Sequence, residues 1–191
     1  HQRQIPDHWH TLTWENQPIE LVKRPTGGRA VLHQGDLTYT VVLSGLPSSR
    51  MQAYQKICEF LIQGWRSLGV DLDYGNAGRG YIHNPNCFGT ATAADLVLPD
   101  GSKLIGSAQL RRGNTVLQHG SIRLRQSAPL FQQVFQVEPQ SPQPRPDLDY
   151  NQLQELLIKA LTNAAQEQFH ATFQVHPLSQ EEWQDIVNLA V

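Results

Sequence analysis

Residues 87–124 read CFGTATAADLVLPDGSKLIGSAQLRRGNTVLQHGSIRL, and the predicted fold is built around them. Alternating apolar residues on both sides of the turn at 99–102 predict a β-hairpin. Cys87 precedes this hairpin among small residues, and Lys103 begins its returning strand. Because a hairpin brings the chain back close to its start, the sequence predicts that the Cys87 thiol and the Lys103 amine lie near each other.

Cys87 and Lys103 are the residue types that an acyl-transfer site requires. A thiol becomes a good nucleophile as its thiolate, which a nearby cation stabilises. The same cation can stabilise the negative charge that develops on an acyl carbonyl oxygen. Two other interpretations remain open. One is a partly buried cysteine beside a solvated lysine, and the other is a papain-type pair with His119 or His33 as base, although the residues that surround a papain cysteine are absent.

The composition indicates a globular protein with room for one sizeable domain. The net charge of −2 gives no support for a nucleic-acid partner. No apolar run approaches the roughly 18 residues that cross a bilayer, so no membrane association is expected. Two cysteines, Cys58 and Cys87, do not make a disulfide framework, which favours a reducing, cytoplasmic location. His8 and His10 lack acidic or cysteine partners, and no metal site is predicted.

Hydrophobic periodicity gives the predicted elements. Strands are predicted at 19–23, 30–43 (two strands joined at 34–36), 70–74, 94–98, 103–112 and 115–124, with a further edge strand at 171–175. Helices are predicted from Ser48 or Ser49 to Gly69, at 128–135, from Asp147 or Asp149 to about Phe169, and from Ser179 onward, the last with Trp183, Ile186, Val187 and Leu189 facing inward. Cys58 falls in the apolar stripe of the first helix and is predicted to be a core residue.

A glycine-containing loop, RPTGGRA, precedes the second predicted strand region. Gly27 and Gly28 allow positive φ angles and a close approach of the backbone to a ligand. Their amides, with Arg24 and Arg29, could hold a carboxyl, carbonyl or phosphate oxygen, although a plain turn would have the same sequence. His33 follows as either a pocket residue or a turn-capping histidine.

Three motifs then carry a resemblance to a known family. The sequences RPTGGRAVLH at 24–33, DLV followed by GSKLIGSAQ within 95–109, and LQHGS at 117–121 resemble, in order, the motifs of the lipoate–protein ligase A and octanoyltransferase superfamily. The match spans over half the chain. Arg29 in place of a third glycine and a cysteine before the DLV motif resemble the cysteine-dependent octanoyl-acyl-carrier-protein:protein N-octanoyltransferases.

The resemblance implies a fold and a domain organisation. The implied class is α+β, with a mainly antiparallel or mixed β-sheet flanked by helices, as in the class II synthetase-like biotin/lipoate protein ligase fold. Residues 1–136 would form the catalytic domain, 137–148 a proline-rich linker, and 149–191 a helical segment packed on the same domain. Family members carry a strand and a helix ahead of the residues that match His1, so part of the N-terminal region is expected to be missing.

The resemblance also implies a mechanism. Cys87 would take an octanoyl or lipoyl group from acyl-carrier protein as a thioester, and Lys103 would bind the acyl carbonyl. The acyl group would then pass to a lysine of a lipoyl domain, such as the glycine-cleavage H protein. No cofactor would be needed. The alternatives are an ATP- and Mg-dependent lipoate–protein ligase that uses a lipoyl-adenylate, and a member of the family that binds lipoyl domains without turnover.

The resemblance assigns further residues to substrate binding. Those in the loop are Arg24, Gly27, Gly28, Arg29 and His33. Those on the strands across the pocket are Ser107, Gln109, His119 and Gly120. A cluster of Arg111, Arg112, Arg123 and Arg125 at neighbouring strand ends is expected either to meet an acidic carrier protein or to form a solvated rim.

Overall fold

The computed structural model describes residues 5–75, 94–139 and 142–189. The strands are β1 (Thr13–Trp14), β2 (Gln17–Pro18), β3 (Asp36–Ser44), β4 (Asp73–Tyr74), β5 (Leu96–Val97), β6 (Lys103–Arg112) and β7 (Thr115–Arg123). The helices are a 3-10 helix (Asp7–Thr11), α1 (Arg50–Ser67), α2 (Ala128–Phe135), α3 (Tyr150–Phe169) and α4 (Gln180–Leu189). Within this part of the chain, none of the helices combines the length and the apolar character that crossing a membrane requires.

Five of these strands form an antiparallel sheet in the order β3-β7-β6-β5-β4. The long strands β3, β7 and β6 are adjacent, and their register sets which side chains share a face. Ile105 lies opposite Ile122, which in turn lies opposite Leu37, and this face carries the apolar residues of the core. The predicted α+β class with a mainly antiparallel sheet is therefore confirmed.

Helices α1 and α3 cover that apolar face of the sheet. The hydroxyl of Ser49 caps α1 by accepting a hydrogen bond from the Gln52 amide at 3.4 Å. Ser49 is one of the two residues predicted for this position. Asp149 begins α3 in a capping box with Gln152. Cys58 is fully buried in this core, which confirms its predicted structural role.

A second, smaller core joins the N-terminal segment to α2. Trp9 is buried against Phe131 and Phe135, and its indole Nε1 donates a hydrogen bond to the Val134 carbonyl oxygen at 2.7 Å. Leu32, directly after the glycine loop, packs against the same cluster. This core therefore holds Leu32, which lies between the glycine loop and strand β3.

Some predicted elements are wrong. Residues 19–23 are not a strand, and Val22 is 85% exposed. Of the two strands predicted at 30–43, the second forms as β3, but the first is reduced to an isolated β-bridge at Ala30, and 171–175 is not a strand either. Residues 19–23 and 171–175 have apolar and β-branched residues, but neither pairs with a strand of the described sheet, and propensity without a paired neighbour does not make a strand.

The C-terminal helix forms as predicted but with its apolar residues outside. Trp183, Ile186 and Val187 are all exposed in α4, against the prediction that they face inward. Their three- and four-residue spacing gives an amphipathic helix whether or not a partner covers it. Periodicity thus predicted the helix correctly, and the inward placement was wrong.

Candidate functional site

Lys103 is held in the interior of the protein. The turn before it is closed by a hydrogen bond from the Leu98 amide to the Ser102 carbonyl oxygen at 2.9 Å, with Gly101 at a φ of +81°. The Lys103 Nζ lies 3.0 Å from Asp95 Oδ1, and the two side chains are only 2% and 5% exposed. The lysine is therefore one half of a buried ion pair, and the alternative of a solvated lysine is wrong.

The segment that contains Cys87 begins and ends beside this pair. Cys87 itself lies outside the described residues, so its predicted position near Lys103 stays a prediction. The residues that flank the segment are Gly75 and Ala94, and the Gly75 amide donates a hydrogen bond to the Asp95 carbonyl oxygen at 3.0 Å. Gly75 and Ala94, the residues on either side of the segment, therefore both lie next to Asp95, which pairs with Lys103.

Arg123 supports the backbone on the other side of Lys103. Its Nη1 donates to the Lys103 carbonyl oxygen at 3.2 Å, and its Nη2 donates to Gln126 Oε1 at 2.6 Å. Burial lowers the pKa of Arg123 to about 10. Because Arg123 is buried while Arg111, Arg112 and Arg125 are exposed, the predicted arginine cluster is not a single surface feature.

The glycine loop has the backbone that its sequence predicts. Gly27 and Gly28 have φ angles of +69° and +98°. Inside the loop, Arg24 Nη2 donates a hydrogen bond to the Arg29 carbonyl oxygen at 3.0 Å. A Cβ on Gly28 would lie 2.9 Å from Arg24 Nη2 and would disturb this brace. Arg24 thus shapes the loop from within.

A direct contact joins the loop to the sheet. Thr26 Oγ1 and His119 Nε2 share a hydrogen bond of 2.7 Å. His119 lies on β7, opposite Thr40 on β3 and Ala108 on β6. Burial, and then the nearby charges of Arg24 and His33, lower the pKa of His119, so its imidazole is neutral at neutral pH.

His33 belongs to a second cluster on the same face. Its Nδ1 donates a hydrogen bond to Asp36 Oδ2 at 2.8 Å, and Ser121 Oγ donates to the same oxygen at 2.6 Å. The hydrogen bond to Asp36 raises the pKa of His33 and outweighs the effect of burial. Burial tends to raise the pKa of Asp36, but the hydrogen bonds from His33 and Ser121 prevail and lower it.

The remaining predicted strand residues lie on the opposite face of the sheet. Neighbouring residues of a strand point to opposite faces, so Gly120 does not share a face with His119. Ser107 is opposite Gly120 in the register, and Gln109 is opposite Gln118. The sheet therefore separates Ser107, Gln109 and Gly120 from the loop that was predicted to line a pocket with them.

A buried polar network occupies this helix-facing side. Gln109 Nε2 donates to Gln118 Oε1 at 2.7 Å, and Gln118 Nε2 donates to the Tyr39 hydroxyl at 2.7 Å and to Cys58 Sγ at 3.3 Å. The Tyr39 hydroxyl also shares a hydrogen bond of 2.7 Å with Ser107 Oγ. Burial raises the pKa of Cys58 to about 11, so this thiol stays protonated at neutral pH.

Gly120 permits this packing. A Cβ at Gly120 would lie 2.5 Å from Tyr39 Cε1 and 2.7 Å from the Gly106 carbonyl oxygen. The contact with a backbone atom cannot be relieved by a change of rotamer. A requirement for glycine at this position thus follows from how closely Tyr39 crosses the strand.

Sequence reasoning missed four residues that organise the site: Asp95, Thr26, Asp36 and Ser121. Ser121 could have been found, because it is two residues from His119 on a strand and so shares its face. Asp95 and Lys103 are opposite charges on the two sides of a predicted hairpin, which is also a usable signal. Nothing in the sequence pairs Thr26 with His119.

No metal centre is described. Among residues 5–75, 94–139 and 142–189, no three His, Cys, Asp or Glu side chains come together as a ligand set. His8, one of the histidines considered as a ligand, shares a hydrogen bond with the Val134 carbonyl oxygen at 3.1 Å.

The fold and the ordered motifs agree with a defined family. The sequence profile of the Biotin/lipoate A/B protein ligase family matches residues 1–127, and the chain belongs to this family. Among its relatives, the octanoyltransferase LipM of Kyrpidia tusciae is 43% identical over 54% of this chain, and that of Bacillus subtilis is 39% identical over 56%. These regions cover 41% and 42% of the two relatives, so the chain matches less than half of their length.

Solved structures agree with the fold. A lipoate-protein ligase A bound with ATP superposes with a TM-score of 0.63 over 81% of this chain and 60% of its own, at 19% identity. A bi-partite lipoate protein ligase from Thermoplasma acidophilum superposes with a TM-score of 0.62 over 87% of this chain and 64% of its own, at 21% identity. The expected biotin/lipoate protein ligase fold is therefore confirmed.

Proposed function

We propose that this chain transfers an octanoyl or lipoyl group from acyl-carrier protein to a lysine of a lipoyl domain, through a thioester on Cys87. The observation that carries the proposal is the buried Lys103–Asp95 pair at the junction where the Cys87 segment leaves and rejoins the sheet. Relatives named octanoyltransferase, at about 40% identity, support the same chemistry.

The first half-reaction exchanges one thioester for another. The Cys87 thiolate attacks the carbonyl carbon of the octanoyl thioester, and the carbonyl oxygen becomes negatively charged. The Lys103 ammonium stabilises this oxygen, and Asp95 holds the amine in place. The bond to the carrier sulfur then breaks, and the carrier leaves as a thiolate. No cofactor is required, because the incoming thioester is already activated.

The second half-reaction forms the amide. The neutral amine of the acceptor lysine attacks the carbonyl carbon of octanoyl-Cys87, the bond to the Cys87 sulfur breaks, Cys87 leaves as a thiolate, and the nitrogen releases a proton to solvent. Lys103 serves again, because the leaving thiolate and the carbonyl oxygen both carry negative charge. Both half-reactions thus use the same cation.

The loop-facing side of the sheet suits the acyl chain. It presents the small residues Gly106, opposite Ser121, and Ala108, opposite His119, and His119 contacts the glycine loop. An octanoyl chain has roughly six methylenes, each worth about 0.8 kcal/mol on burial, so an apolar slot could supply about 5 kcal/mol of recognition. Arg24 and Arg29 would then lie near the polar end of the substrate.

The partners follow from this chemistry. The donor is octanoyl acyl-carrier protein, and the acceptor is a lipoyl-domain protein such as the glycine-cleavage H protein. The solved archaeal ligase was described with its E2 lipoyl domain, which supports an acceptor of this class. We place the reaction in the cytoplasm, with no nucleic-acid or membrane partner.

A second candidate is an ATP- and Mg-dependent lipoate–protein ligase. The observation behind it is the glycine loop, whose positive φ angles can turn backbone amides toward an adenylate. The test is to mix the protein with octanoyl acyl-carrier protein and a lipoyl domain, without ATP or Mg. We expect octanoylated lipoyl domain, formed by the Cys58→Ala variant but not by Cys87→Ala. Absolute dependence on ATP would establish the ligase instead.

A further inference from the structure

His33 is held in one orientation while its outer edge stays accessible. Its Nδ1 donates to Asp36 Oδ2 at 2.8 Å, and the two side chains are 58% and 8% exposed. With the proton on Nδ1, the lone pair of the neutral imidazole is on Nε2, across the ring from Asp36. A buried carboxylate thus directs a solvent-accessible base.

The carboxylate is itself fixed by a different strand. Ser121, on β7, donates to Asp36 Oδ2 at 2.6 Å, and the register places Thr38 of β3 opposite Ser121. Asp36 is therefore anchored across two strands of the sheet. Within residues 5–75, 94–139 and 142–189, Arg24 on the loop and His119 on β7 also interact with the charge of His33.

The second half-reaction needs a base at such a place. A lysine side chain has an ordinary pKa of about 10.4, so at neutral pH almost all of it is ammonium, which is not a nucleophile. The acceptor lysine arrives from another protein, so the group that takes its proton must be accessible from outside. Lys103 is buried with Asp95, and His119 is bonded to Thr26, so neither meets this requirement.

We propose that His33 takes a proton from the acceptor lysine ammonium in the second half-reaction, with Asp36 and Ser121 as positioning residues. This inference rests on the proposed function. The ammonium N–H bond breaks, its proton goes to His33 Nε2, and the free amine attacks octanoyl-Cys87. The bond to the Cys87 sulfur then breaks, Cys87 leaves as a thiolate, and the nitrogen releases a second proton to solvent. The imidazolium formed is stabilised by Asp36 and returns its proton to solvent after the amide has formed.

The experiment separates the two half-reactions. The protein is first loaded with octanoyl acyl-carrier protein and freed of the carrier. It is then mixed with a lipoyl domain in a single turnover, and amide formation is followed by mass spectrometry across a range of pH. The His33→Gln variant should transfer about 100-fold more slowly, and transfer should be slowed far more than loading. His176→Gln, an exposed histidine far along the chain, is the matched control and should do both steps normally.

Two further readouts distinguish a base from a structural residue. Transfer by a base requires its neutral form, so the rate should rise with pH with a midpoint above 6.5, the ordinary value for histidine. Asp36→Asn removes the group that raises this pKa and should move the midpoint to lower pH. Added imidazole should restore transfer to His33→Ala, because it supplies the missing base.

The possible failures are distinct. Transfer by His33→Gln at the normal rate would overturn the inference. Equal slowing of loading and transfer, without rescue by imidazole, would also overturn it, because it would indicate a structural role. If the unmodified protein forms no octanoyl-Cys87 at all, the proposed function fails, and the inference fails with it.

Discussion

The buried pair of Lys103 and Asp95 is costly for a protein to maintain. Removing both charges from water costs several kcal/mol for each ion, and their mutual attraction only about repays it. Such a pair adds little net stability compared with apolar residues of the same size. Its presence at the edge of the Cys87 segment is therefore best explained by the proposed reaction, which requires a cation out of water.

Removing only the cation should destabilise the fold strongly. Lys103→Met leaves the Asp95 carboxylate buried without this partner, and we expect a loss of about 3–5 kcal/mol in the free energy of unfolding, measured with urea. The double variant Asp95→Asn/Lys103→Met, which buries no charge, should recover at least half of the loss but remain inactive. Lys159→Met removes an exposed lysine and is the control. Equal stability of Lys103→Met and Lys159→Met would contradict this account.

Single residues were predictable where backbone geometry depends on local sequence. Gly27 and Gly28 have the positive φ angles that their spacing in the loop indicated. The hairpin that precedes Lys103 was also predictable from its turn residues. The hydrogen bond between Thr26 and His119 was not, because it joins residues that are 93 positions apart, and only the folded chain brings them together.

At the scale of elements, helices α1 and α3 pack closely against each other. Gly64 lies in the last turn of α1, and a Cβ there would be 2.7 Å from Leu161 Cδ2 and 3.2 Å from Leu161 Cα. The two helices thus approach to a distance that only glycine allows. Together they bury one face of the sheet, including Ile105 and Ile122.

Replacing this glycine weighs helix propensity against packing. Alanine is favoured over glycine in a helix by about 1 kcal/mol, whereas overpacking costs about 1–3 kcal/mol. Since one of the contacts is with backbone, we expect packing to prevail, and Gly64→Ala should unfold at a lower urea concentration. Gln55→Ala, at an exposed position of the same helix, should change little. Higher stability of Gly64→Ala would show that α3 can move away at no cost.

Elements with their own capping and turn signals were predicted well. Ser49 and Asp149 begin α1 and α3, and both were candidates from the sequence. The wrong predictions for residues 19–23 and for Trp183 share one cause. A strand needs a neighbouring strand and an apolar side chain needs a surface to pack against, and both are supplied by distant parts of the chain. The periodicity of α4 therefore could not show whether its apolar residues are buried or exposed.

For the whole molecule, the two faces of the sheet carry different groups of residues. The face covered by α1 and α3 holds the main core and the network around Gln118, which stabilise the fold. The other face carries the glycine loop, His119 and the His33–Asp36 pair. The resemblance assigned residues of both faces to one site and did not predict this division, because motifs give the order of residues and only the register gives their faces.

The most direct test of the central claim is the intact mass of the protein after mixing with octanoyl acyl-carrier protein in the absence of ATP. The account predicts an added mass of one octanoyl group, removed by hydroxylamine as a thioester should be. The adduct should persist in Cys58→Ala and be lost in Cys87→Ala. A protein that stays unmodified, or an adduct that remains in Cys87→Ala, would contradict the account.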